Sequence, residues 1–377
     1  MKTAIKLFLW VIAGALIGFV FSAIMVVTFT DVSLSEFSAN IVSADFGKSC
    51  VAAVVGAGAF ILSLLILVPA HEAGHLVCGL LSGYKFVSFR IFNFTFIKIG
   101  EKLCVKRFSV AGTGGQCLLN PPDRSIEEIP TGWYNAGGVL ANLIMLAAVL
   151  PLLWMDLHPL LFESLLIFCI VDLLLILTNG IPMKLGGIGN DAYNMIYLNK
   201  NYQSKRAVMI QLRSNALIQE GVRPKDMPAE WFECDGVVDY GNPLEVSVPI
   251  MYASRLVDEM RFEDAYLKFE ELYRHKDDII RLYVNEIACE LAFCALITGR
   301  KERAQELLDK KLRKYIDTYS KVMSSKQRIL CAISLYVNGN EGKAKSIYNA
   351  LDAGKENYLL QGEVKSDLVI MRAMLGL

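Results

Sequence analysis

The chain has 377 residues, room for two or three domains, and its formal net charge is +0. A balanced charge offers no electrostatic footprint for nucleic acid, so none is expected as a partner. Hydrophobic residues make up 54% of the chain and mean hydropathy is +0.40. That excess excludes a uniformly soluble protein, and it is concentrated in the first ~200 residues.

Four stretches are long and apolar enough to span a bilayer. The first, roughly 7–29, carries no charge from Leu7 to Phe29 and is too long for a signal-peptide core. The second starts near Ser49, runs uncharged to Ala70 and continues to about Leu81. The third covers roughly 133–155 and the fourth roughly 159–178, the latter with Glu163 and Asp172 inside it. Lysine and arginine set the orientation. Lys85, Arg90, Lys98, Lys102, Lys106 and Arg107 follow the second span, and Lys184, Lys200, Lys205 and Arg206 follow the fourth, whereas the loop 31–48 has Asp31, Glu36 and Asp45 against Lys48. Both termini are therefore expected on the cytoplasmic side. The expected location is a bacterial cell membrane, with the soluble part of the chain in the cytoplasm.

Between the second and third spans, Tyr84–Val110 alternates in places and is rich in Phe, Ile and Val. This predicts a small β-sheet at the membrane surface. Gly112, Gly114 and Gly115 break the pattern, and Pro121-Pro122 marks a loop. The nine cysteines form no CxxC pair and are odd in number, which argues against a disulfide framework or a cysteine-ligated zinc site and for reduced, mostly structural cysteines.

The second span contains His71-Glu72-Ala73-Gly74-His75. Residues i and i+4 of a helix share a face, so both imidazoles can reach one Zn²⁺, with Glu72 placed to accept a proton from a bound water. Ionisable groups inside an apolar helix are costly and mark function. A catalytic zinc wants a third protein ligand. His158 falls on the outer side and His275 far along the soluble half, which leaves a carboxylate: Asp191, after the fourth span, or Asp172, within it. Asp172 can equally be a buried polar contact between helices.

From Asn201 the chain turns polar. A short helix and connector fill 201–245, and helices dominate from 246. Ala265, Ala304 and Ala344 recur at spacings of 304 − 265 = 39 and 344 − 304 = 40, each opening a second helix after a turn at Met260-Arg261-Phe262, Thr298-Gly299-Arg300 and Asn338-Gly339-Asn340. This pattern resembles a tetratricopeptide-type stack of helix pairs with a longer repeat, closed by a final helix over about 357–376; a generic helical bundle is the alternative.

The membrane half, over about residues 45–200, resembles the site-2 protease family of intramembrane zinc metalloproteases. The resemblance rests on HEAGH in a membrane helix, on Ala136-Gly137-Gly138-Val139-Leu140-Ala141-Asn142, similar to that family's Gly-Pro-x-x-Asn element, and on Asn179-Gly180-Ile181-Pro182 followed by Asp191. Gly138 stands where the family has proline, Ala192 where it has glycine, and the stretch from Pro182 to Asp191 is longer here. The resemblance implies His71, His75 and Asp191 as zinc ligands, Glu72 as the catalytic base, and Asn142 and Asn179 as substrate-binding groups. It also implies that substrate adds as a strand to the surface sheet, for which Phe86–Ile99 is the candidate edge.

The expectation is thus a mainly α protein: a polytopic membrane helical domain with a small surface β-sheet (1–200), a connector (201–245) and a soluble α-helical repeat domain (246–377). Its expected activity is zinc-dependent hydrolysis of peptide bonds in membrane-spanning or hydrophobic peptide substrates, with the lipid bilayer around it and a cytoplasmic protein partner at the repeats. The competing reading is a membrane-anchored scaffold with an inactive or structural metal site.

Overall fold

The computed structural model describes residues 46–99, 102–107, 114–234 and 236–377. The expected first span, 7–29, lies outside the described residues. Among those described, three helices are long and apolar enough to cross a membrane: Val51–Leu81, Gly132–Trp154 and Pro159–Gly180. They correspond to the second, third and fourth stretches of the sequence. Helix is the form such runs must take in lipid, because every backbone N–H and C=O then finds a partner within its own segment. Only 11%, 17% and 17% of their most apolar windows are buried by protein, which leaves long apolar faces for lipid.

The first of these helices, α1 (Phe46–Leu81), contains Pro69 two residues before His71. Proline has no N–H, so the carbonyl one turn earlier loses its helical partner just ahead of the HEAGH turn. Helix α2 (Gly132–Val149) continues as a 3-10 turn at Leu150–Trp154, where Pro151 cannot extend the α-helical ladder, and α3 (Pro159–Gly180) follows.

The chain divides into two compact bodies. One comprises the described residues up to His71 together with 138–180. Its apolar core is Leu67 of α1 with Phe168 and Val171 of α3, packed by Leu64, Met145 and Ile167.

The other comprises 72–137 and 181–377. It holds a four-stranded antiparallel sheet of β1 (Lys85–Ile91), β2 (Phe94–Ile99), β3 (Lys102–Arg107) and β4 (Gly115–Asn120), in the order β3-β2-β1-β4. Phe89 of β1 faces Phe96 on one side and Cys117 on the other. Phe86–Ile99, the expected edge, therefore consists of the two inner strands, and the edges are β3 and β4. The reason is physical: the short turn Phe92-Asn93 folds β1 and β2 against each other, and β4 lies beyond the glycines that read as a break. Tyr84, Cys117, Leu119 and Ile129 form a core under this sheet with Met209.

Met209 belongs to α5 (Tyr202–Glu220), a 19-residue helix capped by Asn201 and ended by Gly221 at φ 92°. A left-handed residue there favours glycine. Arg213 donates to the carbonyls of Pro122 and Arg124, and Lys205 to that of Glu127. The region read as a short helix and connector thus opens with a 19-residue helix docked on the sheet and the loop behind it, and a connector with 3-10 turns at Pro224–Asp226 and Ala229–Phe232 follows.

The remaining helices pack together: α6 (Pro243–Asp258), α7 (Phe262–Arg274), α8 (Arg281–Ile297), α9 (Lys301–Leu307), α10 (Lys310–Tyr319), α11 (Ser324–Ala332), α12 (Glu341–Ala353) and α13 (Gln361–Met374). Ala265, Ala304 and Ala344 each occupy the fourth position of α7, α9 and α12 and are fully buried. Each preceding turn passes through a left-handed residue: Met260, Gly299 and Gly339. Two turns close with a bond spanning five residues, Arg261 N–H to Leu256 and Arg300 N–H to Ala295. The third spans six, Asn340 N–H to Ser334, and a π-helical turn at Ile333–Val337 takes up the added residue. Helix α10, whose N-terminal amide at Leu312 is capped by Asp309, is an element the alanine spacing did not reveal.

Charge is buried among these helices. Arg328 donates to Asp367 (2.6 Å) and Glu290 (2.7 Å) and lies 3.9 Å over the Phe293 ring; Lys326 pairs with Glu286 at 2.6 Å. Arg328→Met is expected to destabilise this region by about 3–5 kcal/mol, because it strands two carboxylates in the core. Urea unfolding followed by limited proteolysis measures it. Glu363, in the same cluster, is held protonated: burial and the Asp367 charge push its carboxyl up to about 8 against the pull of Lys326. A raised carboxyl binds more protons folded than unfolded. Its contribution is therefore complete below its ordinary 4.5 and lost as pH rises through about 8. Stability should fall over that window in the wild type, and Glu363→Gln should flatten that component.

Candidate metal centre

The HEAGH turn of α1 is fixed by a close helix crossing. A side chain placed on Gly137 of α2 would collide with the carbonyl of Gly74. Glycine at 137 thus lets the two backbones touch, as small residues do between membrane helices. The crossing brings the Tyr134 carbonyl of α2 within 2.7 Å of His75 Nδ1. A carbonyl only accepts, so Nδ1 carries the proton and the lone pair of His75 is on Nε2. Tyr134 also packs its ring edge-on to His75, stacks on Tyr84, and donates its hydroxyl to the Cys117 carbonyl at 2.7 Å, tying the turn to β4.

His75 Nε2 lies 3.3 Å from Asp191 Oδ2. Two lone-pair atoms at that separation need a cation or a second proton between them. Ligands bound at about 2.0–2.1 Å around a tetrahedral zinc are themselves about 3.3–3.4 Å apart, so the spacing suits a metal. His71 is one turn before His75 on the same unbroken helix. Ligand atoms of His71, His75 and Asp191 all lie within 4.8 Å of one another, and the three side chains are half-buried to buried. The group can hold a metal ion.

Asp191 is delivered by a local device. The chain leaving α3 forms a small hairpin, β5 (Lys184–Leu185) and β6 (Ile188–Gly189), turned by Gly186 and Gly187 at φ 58° and 88°. Asn190 pinches it shut. Its N–H donates to the Met183 carbonyl, its Nδ2 to the Ile181 carbonyl at 2.6 Å, and its Oδ1 accepts from the Met183 and Tyr193 amides. The last bond caps α4 (Asp191–Tyr197), so Asp191 is its first residue. The extra length between Pro182 and Asp191 is thereby looped out.

Glu72 lies against the start of β4: a side chain on Gly115 would meet Glu72 Oε1 at 2.8 Å. Arg90, 2% exposed, donates to the Gly115 carbonyl (3.1 Å) and the Phe92 carbonyl (3.0 Å), and is attracted by the Glu72 charge. Burial pushes the neighbouring Cys117 thiol up to about 12, with the Glu72 charge adding to the effect. That thiol stays protonated at neutral pH and offers no thiolate nucleophile.

Asn142 and Asp172 are fully buried. Asn142 Oδ1 lies 2.6 Å from His71 Nδ1, and its Nδ2 donates to Asp172 Oδ1 at 2.7 Å. Asp172 is thus the buried contact between helices, and Asp191 is the carboxylate grouped with the two histidines. Asn179, half-buried, donates to the Leu175 carbonyl of its own helix. The residues that sequence reasoning did not single out are Tyr134, Asn190 and Arg90. Tyr134 acts on His75 through its backbone, which leaves no residue-type signal, whereas Asn190 before Asp191 is a readable helix cap.

Compared with protein-family models, with curated proteins and with solved structures, the chain matches none of them.

If the group binds a metal ion, Gly137→Val is expected to weaken its affinity for the probe ion zinc by more than roughly tenfold, by separating α1 from α2 and loosening His75. Gly132→Ala, on the same helix with open space around it, should leave zinc affinity unchanged. Zinc titration against a chelator compares the two.

Proposed function

We propose that this protein is an intramembrane zinc metalloendopeptidase, similar to the site-2 protease family, that hydrolyses a peptide bond of a membrane-spanning or hydrophobic peptide substrate. The observation that carries the reading is the grouping of His71, His75 and Asp191 on and beside an apolar helix, with Glu72 between the histidines. Two imidazoles and one carboxylate are a typical catalytic zinc donor set. When bound, zinc acidifies a water toward a pKa of ~7 and polarises the substrate carbonyl.

The chain's own residues supply the rest. Glu72 accepts the proton of the attacking water and passes it to the leaving amine. A substrate helix must lose backbone hydrogen bonds before one of its peptide bonds is exposed, and an edge strand replaces them. Strand β4 supports this role, because it is an edge of the sheet and its first residue touches Glu72. Substrate laid along β4 runs past the base. Arg90, bonded to the first carbonyl of β4, keeps that edge in place. The lysines and arginines after the second and fourth spans support a cytoplasmic site, and the buried alanines of the helix pairs support a tetratricopeptide-like stack that binds a protein partner.

Glu72→Gln is expected to retain zinc at wild-type stoichiometry and to lower cleavage of a single-span reporter in proteoliposomes by roughly 10²–10⁴-fold. Wild-type cleavage by this variant contradicts the mechanism. A folded wild-type protein without near-equimolar zinc favours the membrane-anchored scaffold instead.

A further inference from the structure

We propose that Asp172 and Asn142 are positioning residues for the first metal ligand, His71, and that they set the affinity of the centre for zinc. The proposal rests on the zinc reading above and assigns a role to two side chains within the membrane that the chemistry itself does not use.

The direction of each bond follows from its donors and acceptors. Asp172 takes the Nδ2–H of Asn142, which turns Oδ1 of Asn142 toward His71. An amide oxygen only accepts, so His71 donates from Nδ1 and its lone pair is on Nε2. The chain Asp172–Asn142–His71 therefore fixes both the tautomer and the plane of the ring. The bonds are short, 2.7 and 2.6 Å, and Asn142 and Asp172 are each 0% exposed, so no water competes for them.

Stability alone does not account for the pair. An aspartate within a membrane helix is costly to insert, and leucine there would be favourable. Asp172 is moreover incompletely satisfied: its Oδ2 is buried with no hydrogen-bond partner among the described residues. A carboxyl group that orients Asn142, and through it fixes the plane and tautomer of His71, has a reason to be buried there. The two histidines differ in this respect. His75 is held by the Tyr134 backbone carbonyl, which no substitution removes, and His71 is held by side chains, which substitution can remove.

The test uses the purified full-length protein in nanodiscs. Zinc affinity is measured by chelator competition, the ligand field by Co²⁺ d–d absorption, and the fold by circular dichroism. Asp172→Leu and Asn142→Leu are expected to weaken zinc by roughly 10–100-fold and to shift the Co²⁺ spectrum, with helicity unchanged. Asp172→Asn retains an acceptor for Asn142, and its loss should stay below roughly tenfold. In an H71A background Asp172→Leu should cause no further loss, since the ring it positions is gone. Equal losses in both backgrounds, or wild-type affinity and spectrum in a folded Asp172→Leu variant, overturn the proposal and leave the pair as an interhelical clasp. Should Asp172→Leu fail to fold, the N142L/D172L double variant, apolar at both positions, carries the same decision. A wild type that binds no zinc sinks the metalloprotease reading itself, an outcome distinct from zinc binding that is indifferent to Asp172.

Discussion

A histidine on a helix apolar enough to cross a membrane needs a fixed protein partner for its second ring nitrogen, and that constraint organises this site. Both imidazoles of the HEAGH turn must find an acceptor on a neighbouring helix before their other nitrogens can serve a metal. Helix α2 supplies both: the Tyr134 carbonyl for His75 and the Asn142 side chain for His71. The near-contact of Gly74 with Gly137 brings the first within reach. A motif that looks self-sufficient in sequence is chemically complete only with a second helix against it.

The third member of the group is positioned by different means. Asp191 lies outside the apolar spans, so ordinary turn chemistry suffices: two left-handed glycines turn a short hairpin, and Asn190 clamps its base while capping the helix that begins with Asp191. Rigid helix packing thus holds the histidines, and a capped loop holds the carboxylate. The same body carries β4 to the side of Glu72, which sets that carboxylate beside the sheet.

What was legible in the sequence is what local periodicity encodes. The apolar runs mark the three described helices long enough to cross a membrane, the i, i+4 spacing puts His71 and His75 on one face, and the recurrence of alanine marks three helices that each follow a left-handed turn. What was not legible depends on partners distant in the chain. Nothing local to Phe86–Ile99 says that both its strands are covered, because β4 returns to pair with β1 only after a run of glycines. Asp172 and Asp191 are equally plausible ligands by type, and only the amide of Asn142, thirty residues before Asp172, separates them. Helix α10 escaped notice because the alanine period runs through it without a mark.

The most direct measurement is the zinc X-ray absorption spectrum of the purified wild-type protein beside D191A and D172A. The account predicts near-equimolar zinc with two imidazole nitrogens and a carboxylate oxygen at about 2.0–2.2 Å. The oxygen assigned to carboxylate should be lost in D191A and kept in D172A. Zinc absent from the folded wild type, or a carboxylate lost in D172A and kept in D191A, contradicts it.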